Sequence, residues 1–351
     1  MQTSKGLFQI IAKQLNDKIA GLLVNETDKW CSFYQKGGKR FAYCLLSKKT
    51  TNISFWCLGN VDEIKQRYGG KIEFLKRDKT TGGFGKDFQI SFSIDNEYEI
   101  ADVVNLLVEI SNSWTKEELI SAYNLYCKIP VSEINRNNKE IIRFAELLYK
   151  TPKEITKRFK NFSKLDASIQ ILENIENEDI NTWNLFNSNW QKSVYESEKN
   201  LVDLENKLKK ISNFPKGKER ERVVSTRVNQ TFFRMAVLTS YQNKCCITNL
   251  PFVELLNASH IIPWASDENN RLNPHNGLCL NALHDRAFDR GFITVLPDYT
   301  IKVSNYIGEI IDNKSVSDYF MKYQNRKIFL PNRFLPEKTF LEYHNQNIFK
   351  R

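Results

Sequence analysis

The chain has 351 residues, and its 51 lysines and arginines exceed its 41 aspartates and glutamates, which gives a net charge of +10. At about 150 residues per domain, this length predicts two to three domains. A hydrophobic content of 41%, with 12% aromatic residues, is enough for packed cores and excludes wholesale disorder. The positive excess has two interpretations, a solubilising surface or a polyanionic partner, most often nucleic acid.

Neither a membrane span nor a secretion signal is predicted. The most apolar window, residues 100–110, is interrupted by Asp102, Asn105 and Glu109. The apolar run that begins at Leu7 is too short for a signal peptide. The 7 scattered cysteines form no Cys-x-x-Cys pair, which argues against a disulfide framework and against a four-cysteine zinc site. We therefore expect a soluble cytoplasmic protein that binds no membrane.

The predicted fold class is a multidomain α+β protein, and its first domain, residues 1–112, is a small α+β unit with a mostly antiparallel sheet. An apolar spacing of three and four from Leu7 to Leu23 predicts an opening helix, and residues 98–111 predict a closing one. Five runs between them have strand character: Trp30–Tyr34, Phe41–Leu46, Ile53–Leu58, Ile72–Leu75 and Phe88–Ile94. This block has no histidine, and we expect it to recognise DNA or sense a signal.

Residues 113–190 are predicted to be a helical, helix-turn-helix-like domain. Thr115 with Glu118 forms one capping-box pattern, and Thr151 with Glu154 forms another around a proline at the first helical position. A helical linker, residues 191–218, follows. Its apolar residues have a/d spacing, which has two interpretations, a helix packed on its own protein or a dimer seam. These residues are Val194, Leu201, Leu204, Leu208 and Ile211.

The last block, residues 219–351, contains the residues that suggest chemistry. Three of the 4 histidines, His260, His275 and His284, lie within 25 residues. The pattern predicts a strand ending near His260, a second strand after Asn276 and a helix that contains His284. A neutral imidazole on a rigid strand can take a proton from water near pH 7. A second imidazole at a helix start can bind a divalent cation that stabilises a pentavalent phosphate.

This stretch resembles the HNH, or ββα-metal, endonuclease domain of restriction endonucleases. The resemblance runs from Glu219 to Val303, and the helical block resembles a segment that often precedes such domains. The residues 1–112 resemble no family that we can name. The motifs that carry the HNH resemblance are Arg227-Val-Asn-Gln, Cys246-Ile-Thr-Asn249, Ala258-Ser-His-Ile-Ile-Pro-Trp264 and Asn276-Gly-Leu-Cys-Leu-Asn-Ala-Leu-His284-Asp-Arg-Ala-Phe-Asp-Arg-Gly291.

The resemblance implies that His260 is the general base, Asn276 the central asparagine and His284 the ligand of one divalent cation, Mg²⁺ or Mn²⁺. Many members of the family have an aspartate or histidine just before the base, where this chain has Ser259. A hydroxyl is a poor ligand for a hard cation.

The rest of the cation shell therefore stays open between Asp289, Asp285, water and the substrate phosphate. Asp289 has the alternative of pairing with an arginine. His275 either contacts phosphate or lies in an exposed loop, and Arg290 has no assigned role.

Two basic runs, 150–164 with a net +5 and 216–234 with a net +4, account for most of the positive excess. On the first run, lysines spaced by four and three form one helix face, which suits a helix in the major groove. The alternative is a solvated basic face. The residues predicted to bind DNA are Lys153, Lys157, Arg158, Lys160, Arg227, Arg234 and Arg271.

These features predict a metal-dependent DNA endonuclease that cuts double-stranded DNA, with a role in restriction or anti-phage defence inferred by analogy. Because one such site cuts one strand, we expect a homodimer. Two alternatives stay open: an effector nuclease gated by a partner or small molecule at the first domain, and a non-cleaving regulator with a vestigial nuclease fold.

Overall fold

A computed structural model describes residues 3–19, 21–35, 40–59, 61–75, 88–166, 175–211, 221–308 and 313–351; the side chains of residues 63, 207–211, 221–230 and 308 lie outside that description. The chain is of mixed α and β type and forms two compact units, Met1–Thr115 and Lys116–Arg351. The predicted boundaries near residues 190 and 218 fall inside the second unit and stay predictions. None of the described helices is long and apolar enough to cross a membrane.

The first unit is a five-stranded antiparallel sheet with helices on one face. Strands follow one another in the order β1-β2-β3-β4-β5. Helices α1 and α3 pack against each other and against β3, and Phe8 of α1 lies 5.9 Å from Phe33 of β2 between ring centroids. The elements are α1 (Ser4–Lys18), β1 (Leu23–Glu26), β2 (Trp30–Tyr34), β3 (Arg40–Leu46), β4 (Ile53–Cys57), α2 (Val61–Tyr68), β5 (Ile90–Ile94) and α3 (Ile100–Asn112).

Three features of this unit differ from the sequence prediction. Leu23 begins β1 and does not extend the opening helix, because the chain turns at Gly21, whose φ is +72°. The predicted strand 72–75 is reduced to one isolated bridge between Phe74 and Phe92. Helix α2 was not predicted, because it is only 8 residues long and mostly polar.

The second unit opens with helices that surround α4. These are α4 (Lys116–Lys128), α5 (Lys139–Leu148), α6 (Pro152–Leu165), α7 (Asn177–Ser188), α8 (Trp190–Ile211) and α9 (Glu221–Ser240). Helix α6 starts with a complete capping box between Thr151 and Glu154. In α8, Val194 is fully buried in its own unit, whereas Leu201 is half-buried. The start of the predicted dimer seam is therefore part of the core.

The remaining elements carry the candidate site. Strands β6 (Leu256–His260) and β7 (Gly277–Asn281) form an antiparallel hairpin in which His260 is opposite Gly277. Helix α10 (Ala282–Asp289) follows directly, with Asn281 accepting a hydrogen bond from the His284 amide as its N-cap. The later elements are β8 (Ile293–Val295), β9 (Ile301–Val303), α11 (Asn305–Gly308), α12 (Lys314–Tyr319) and α13 (Lys338–Asn347).

Arg333 joins this part of the chain to the helices. Its guanidinium is buried and donates to the carbonyl oxygens of Tyr126, Cys127 and Ile129 at the end of α4. A cation at a helix C-terminus satisfies carbonyls that lack intrahelical partners. Helix α9 contacts α4 as well as β6 and β7, so the helical block and the hairpin belong to one compact unit.

Arg158 was predicted to bind DNA, and the structure corrects this. Its side chain is buried and donates to Asp179 at 2.9 Å and to Glu178 at 3.0 Å. Burial raises the pKa of Asp179 to about 6 although the guanidinium is adjacent. By contrast, Lys153, Lys157 and Lys160 lie on the exposed face of α6. The assignment of Arg158 to DNA was wrong because its position in α6 places the side chain on the face that packs against α7.

We expect Arg158→Ala to lower the free energy of unfolding by about 3–5 kcal/mol, because it leaves the buried Asp179 without its cation. Urea denaturation followed by circular dichroism measures this change. The matched control is Lys160→Ala on the exposed face, for which we expect a change within about 0.5 kcal/mol. Equal stability of the two variants would contradict the role assigned to Arg158.

Candidate active site

A cavity of about 590 Å³ opens beside the β6–β7 hairpin. Strand β6 contributes residues 257–260 to its wall, helix α10 contributes Asp285 and Asp289, and α9 contributes Phe233 and Arg234. The C-terminal helix adds His344. The hairpin and helix therefore bring an imidazole and two carboxylates into one concave site, as a hydrolytic centre requires.

The His260 ring is held in one orientation. Its Nε2 lies 3.0 Å from the carbonyl oxygen of Arg271, and since a carbonyl only accepts, Nε2 carries the proton. The ring stacks on Phe233 with a centroid distance of 3.8 Å and meets the edge of Trp264. Burial lowers the pKa of His260, and the Arg271 hydrogen bond offsets this only in part. Nδ1 has no hydrogen-bond partner among the described residues, so it is available to accept a proton.

Asn276 is a positioning residue. It is buried, and its Oδ1 accepts from the Ile262 amide at 2.8 Å. Its Nδ2 donates to the carbonyl oxygens of Ile262 and Asn270. These bonds fix both ends of the loop that carries Arg271, the residue whose carbonyl holds His260. The hydrogen bonds of Asn276 therefore support the loop next to the candidate base.

A close approach of α9 to β7 places the stacking partner of His260. A Cβ added to Gly277 would lie 2.3 Å from Val237 Cγ2 and 3.1 Å from Phe233 Cζ. Only glycine leaves room for this helix. The requirement explains why a glycine follows Asn276, and it sets the distance between Phe233 and the base.

Asp285 and Asp289 lie four residues apart on the face of α10 that lines the cavity. Asn257, a residue that sequence reasoning missed, donates to Asp285 at 2.7 Å. Burial raises the pKa of Asp289, and the charge of Asp285 raises it further. Ser259 Oγ is buried at the same wall and has no hydrogen-bond partner.

This set of groups fits a hard divalent cation. Mg²⁺ is usually held by one or two carboxylates together with water and substrate phosphate. Two carboxylates that repel each other, with an unsatisfied hydroxyl nearby, supply such a donor set. No cluster of three or more histidine, cysteine or acidic side chains occurs in the described part of the chain.

The structure corrects the assignment of His284 as the cation ligand. His284 is buried and is not among the side chains that line the cavity. Its Nε2 donates to the carbonyl oxygen of Tyr319 at 2.8 Å, and its Nδ1 accepts from Asn281 Nδ2 at 3.0 Å. Both ring nitrogens are therefore used. On α10, Asp285 and Asp289 face the cavity, whereas His284 faces the core of the unit.

His284 belongs to a buried polar cluster with Cys245, Thr248 and Asn281. The backbone amide of Asn281 donates a hydrogen bond to the Cys245 sulfur at 3.3 Å. Burial raises the pKa of Cys245, but hydrogen bonds with His284, Thr248 and backbone amides outweigh it and bring the pKa to about 7. These hydrogen bonds hold residues 245–248 against the start of α10, next to the end of β7.

The other two histidines are also structural. His275 is half-buried, donates from Nδ1 to the carbonyl oxygen of Leu335 at 2.7 Å and meets the ring edges of Trp190 and Phe334. His344 hydrogen-bonds Thr294 and Phe288, and burial lowers its pKa to about 4. Of the four histidines, His260 alone combines access to the cavity with an unused ring nitrogen, within the described residues.

The arginines near the site have mixed roles. Arg271 donates to the carbonyl oxygen of Trp264 and pairs with Glu268 at 3.3 Å. Arg234 lines the cavity and donates to the carbonyl oxygens of Leu256 and Val253. Arg290 is exposed at the end of α10. The side chain of Arg227 lies outside the described residues. Contacts of these arginines with DNA stay predictions.

Comparison with known families agrees with this geometry. Residues 245–296 match the family model described as HNH endonuclease. No curated protein matches the chain. The matched segment contains β6, β7 and α10 with the three groups of the cavity.

The chain therefore contains an HNH nuclease domain in its C-terminal part. The domain implies a nuclease hydrolase with DNA as its substrate, and HNH nucleases are typically dependent on divalent metal ions.

Proposed function

We propose that this protein is a metal-dependent endonuclease that cuts double-stranded DNA with His260 as its general base. The observation that carries the proposal is the bond from His260 Nε2 to the Arg271 carbonyl, in a cavity shared with Asp285 and Asp289. This bond selects the tautomer whose Nδ1 is an acceptor. The presence of His260, Asp285 and Asp289 in one cavity argues against a vestigial nuclease.

In the proposed reaction, His260 Nδ1 takes the proton of a water molecule whose oxygen bonds to the scissile phosphorus. The bond from phosphorus to the leaving oxygen breaks, and solvent water protonates that oxygen. Burial lowers the pKa of this imidazole, so it is neutral and able to accept at pH 7. Phe233 and the Arg271 carbonyl keep the ring in place, which lowers the entropic cost of reaching the attack geometry.

Asp285 and Asp289 would hold the cation, Mg²⁺ or Mn²⁺, with Asn257 orienting Asp285. When bound, the ion supplies positive charge for the pentavalent phosphate and the leaving oxygen. Ser259 would reach the cation only through its hydroxyl, which is a weak ligand.

The test is incubation of the purified chain with supercoiled plasmid, modified and unmodified, in Mg²⁺ or Mn²⁺. We expect nicked and then linear DNA, and no product in EDTA. A chain that never cuts under these conditions would favour the gated or non-cleaving alternatives. A role in restriction or anti-phage defence rests on analogy, with the separate first unit as the candidate recognition domain.

The exposed lysines of α6 are proposed to contact DNA phosphates. Replacing Lys153 and Lys160 with alanine should flatten the dependence of DNA affinity on salt by about 1–2 units of the log–log slope, because each phosphate contact contributes roughly 0.9. Fluorescence anisotropy across a salt series, in EDTA, measures the slope. Arg158 is left unchanged, since its loss would destabilise the packing of α6 on α7. An unchanged slope would exclude α6 from the interface.

A homodimer is proposed because one HNH site cuts one strand. Deleting residues 190–212 is not a clean test, since Trp190 and Val194 are buried in the unit's core. The sharper variants are Tyr195→Glu and Val202→Glu, because these side chains are 55% and 50% exposed. Sedimentation of the full chain should show a dimer that these variants dissociate. A monomer in every case would rule out a dimer through α8.

A further inference from the structure

One cation in the cavity has no partner for its charge. Among the residues that line the cavity, Arg234 is the single lysine or arginine, whereas Asp285 and Asp289 are acids. Arg234 is half-buried and forms no ion pair with any residue that the structure describes. Burying a charge costs free energy unless an opposite charge or a ligand compensates it. The position of Arg234 therefore indicates that an anion binds beside it.

Two neutral acceptors hold the Arg234 guanidinium in place. Its Nη1 donates to the carbonyl oxygen of Leu256 at 2.7 Å, and its Nη2 donates to that of Val253 at 3.1 Å. A guanidinium has five N–H donors, and these bonds use two of them. The other donors have no partner among the described residues. Because the side chain is already anchored, it needs little reorganisation to bind an anion.

The elements that position the candidate base also position Arg234. In α9, Arg234 follows Phe233, whose ring stacks on His260 with a centroid distance of 3.8 Å. In β6, the Leu256 carbonyl that anchors Arg234 belongs to the same strand as His260. Regular secondary structure thus holds both the guanidinium and the imidazole at one cavity, which is what a precise catalytic geometry requires.

The chemistry of the cavity selects the anion. Asp285 and Asp289 repel any anion until a cation binds between them, so Arg234 is the attractive group in this wall of the protein. A phosphodiester is an anion whose charge shifts to its non-bridging oxygens as the pentavalent transition state forms, and fixed donors stabilise that charge. The planar fork of a guanidinium matches two oxygens of a phosphate.

We propose that Arg234 is a catalytic residue that binds the non-bridging oxygens of the scissile phosphate and stabilises their charge in the pentavalent transition state. The proposal rests on the proposed function, since it takes the phosphodiester as the occupant. Arginine keeps its protons, so Arg234 takes no part in the proton transfers of the reaction. A contact that only added affinity would change DNA binding, whereas this contact changes the rate.

The test compares Arg234→Ala and Arg234→Lys with Arg326→Ala in the full chain. Arg326 is exposed and does not line the cavity, so it is a matched control. The rate of DNA cleavage is measured in Mn²⁺ under single-turnover conditions at saturating protein, and DNA affinity is measured by anisotropy in EDTA. Bis(p-nitrophenyl) phosphate, a phosphodiester without bases, serves as a second substrate. Calorimetric titration with Mn²⁺ and the pH profile of cleavage report the rest of the site.

We expect Arg234→Ala to slow cleavage of DNA by about 10²–10³-fold, because it removes a fixed donor from the transition state. Hydrolysis of the small diester should fall by a similar factor. DNA affinity should fall by less than about 10-fold, with the salt slope reduced by about 0.9, because one phosphate contact is lost. Arg234→Lys keeps the charge without the fork, so it should recover about 10-fold of the lost rate. Arg326→Ala should behave as the wild type.

A purely structural role for Arg234, as an anchor of the turn at Val253, predicts a different result. Loss of that anchor would disturb the neighbouring strand, so Mn²⁺ binding would weaken and the acid limb set by His260 would move. Either change in Arg234→Ala would overturn the proposal.

Cleavage of DNA by Arg234→Ala at the wild-type rate would also overturn it, as would a loss of DNA affinity as large as the loss of rate. These two results leave the proposed function intact, because the wild type still cuts. A wild type that cuts neither DNA nor the small diester would remove the proposed function together with the role of Arg234.

Discussion

His260→Ala should lower the rate of DNA cleavage by about 10²–10⁴-fold while leaving the affinity for DNA in EDTA unchanged, because the variant loses the proton acceptor only. Plasmid nicking under single-turnover conditions measures the rate. Circular dichroism and anisotropy serve as controls for folding and binding. Cleavage by His260→Ala at the wild-type rate would assign the general base to another group.

The wild type should also keep its activity at more acidic pH than an ordinary histidine permits. The base works in its neutral form, and burial lowers the pKa of His260. As pH falls, protonation is therefore delayed, and the acid limb of kcat/KM should lie below about pH 6.5. Phe233→Ala exposes the ring and should move that limb towards higher pH. A limb that stays in place would mean that the stack does not control the ring.

Asp285→Ala with Asp289→Ala should abolish both Mn²⁺ binding and cleavage, because the two carboxylates are the proposed cation ligands. Calorimetric titration with Mn²⁺ provides a readout that does not depend on activity. Asn257→Ala should weaken Mn²⁺ binding by about 10–100-fold, because it removes the hydrogen bond that orients Asp285.

His284→Ala is the discriminating control for this site. It removes partners of Asn281 and of the Tyr319 carbonyl, so we expect a loss of about 1–3 kcal/mol of stability. Its folded fraction should still bind Mn²⁺. Loss of Mn²⁺ binding in a folded His284→Ala protein, with binding retained by the aspartate double variant, would restore His284 as the ligand.

The local elements of the site could be predicted from the sequence with near-correct bounds. Asn281 as a helix cap, Gly291 after the helix and a strand at residues 293–295 are all signals within a few residues. The α6 capping box was likewise predictable, because Thr151 and Glu154 are three residues apart. The HNH domain itself was predictable because its motif is contiguous, and the family match covers residues 245–296.

Which side chains of a helix line the cavity and which enter the core could not be predicted in the same way. His284 and Asp285 are neighbours in sequence, and one helical step of 100° decides which of them lines the cavity. Imidazole chemistry favoured His284, whereas packing against Tyr319 and Asn281 turned it inward. The i, i+4 spacing of Asp285 and Asp289 was the available signal for the opposite face. Arg158 was misassigned for the same reason, since its carboxylate partners come from α7.

The sequence by itself determined that this chain has an excess of positive charge, an HNH motif and a histidine at the end of a strand. Only the tertiary structure decided which groups meet. The Arg271 carbonyl that sets the tautomer of His260 lies 11 residues away in a loop fixed by Asn276. Phe233 reaches the ring because Gly277 lets α9 approach. Such contacts depend on packing between distant segments, which local residue patterns do not encode.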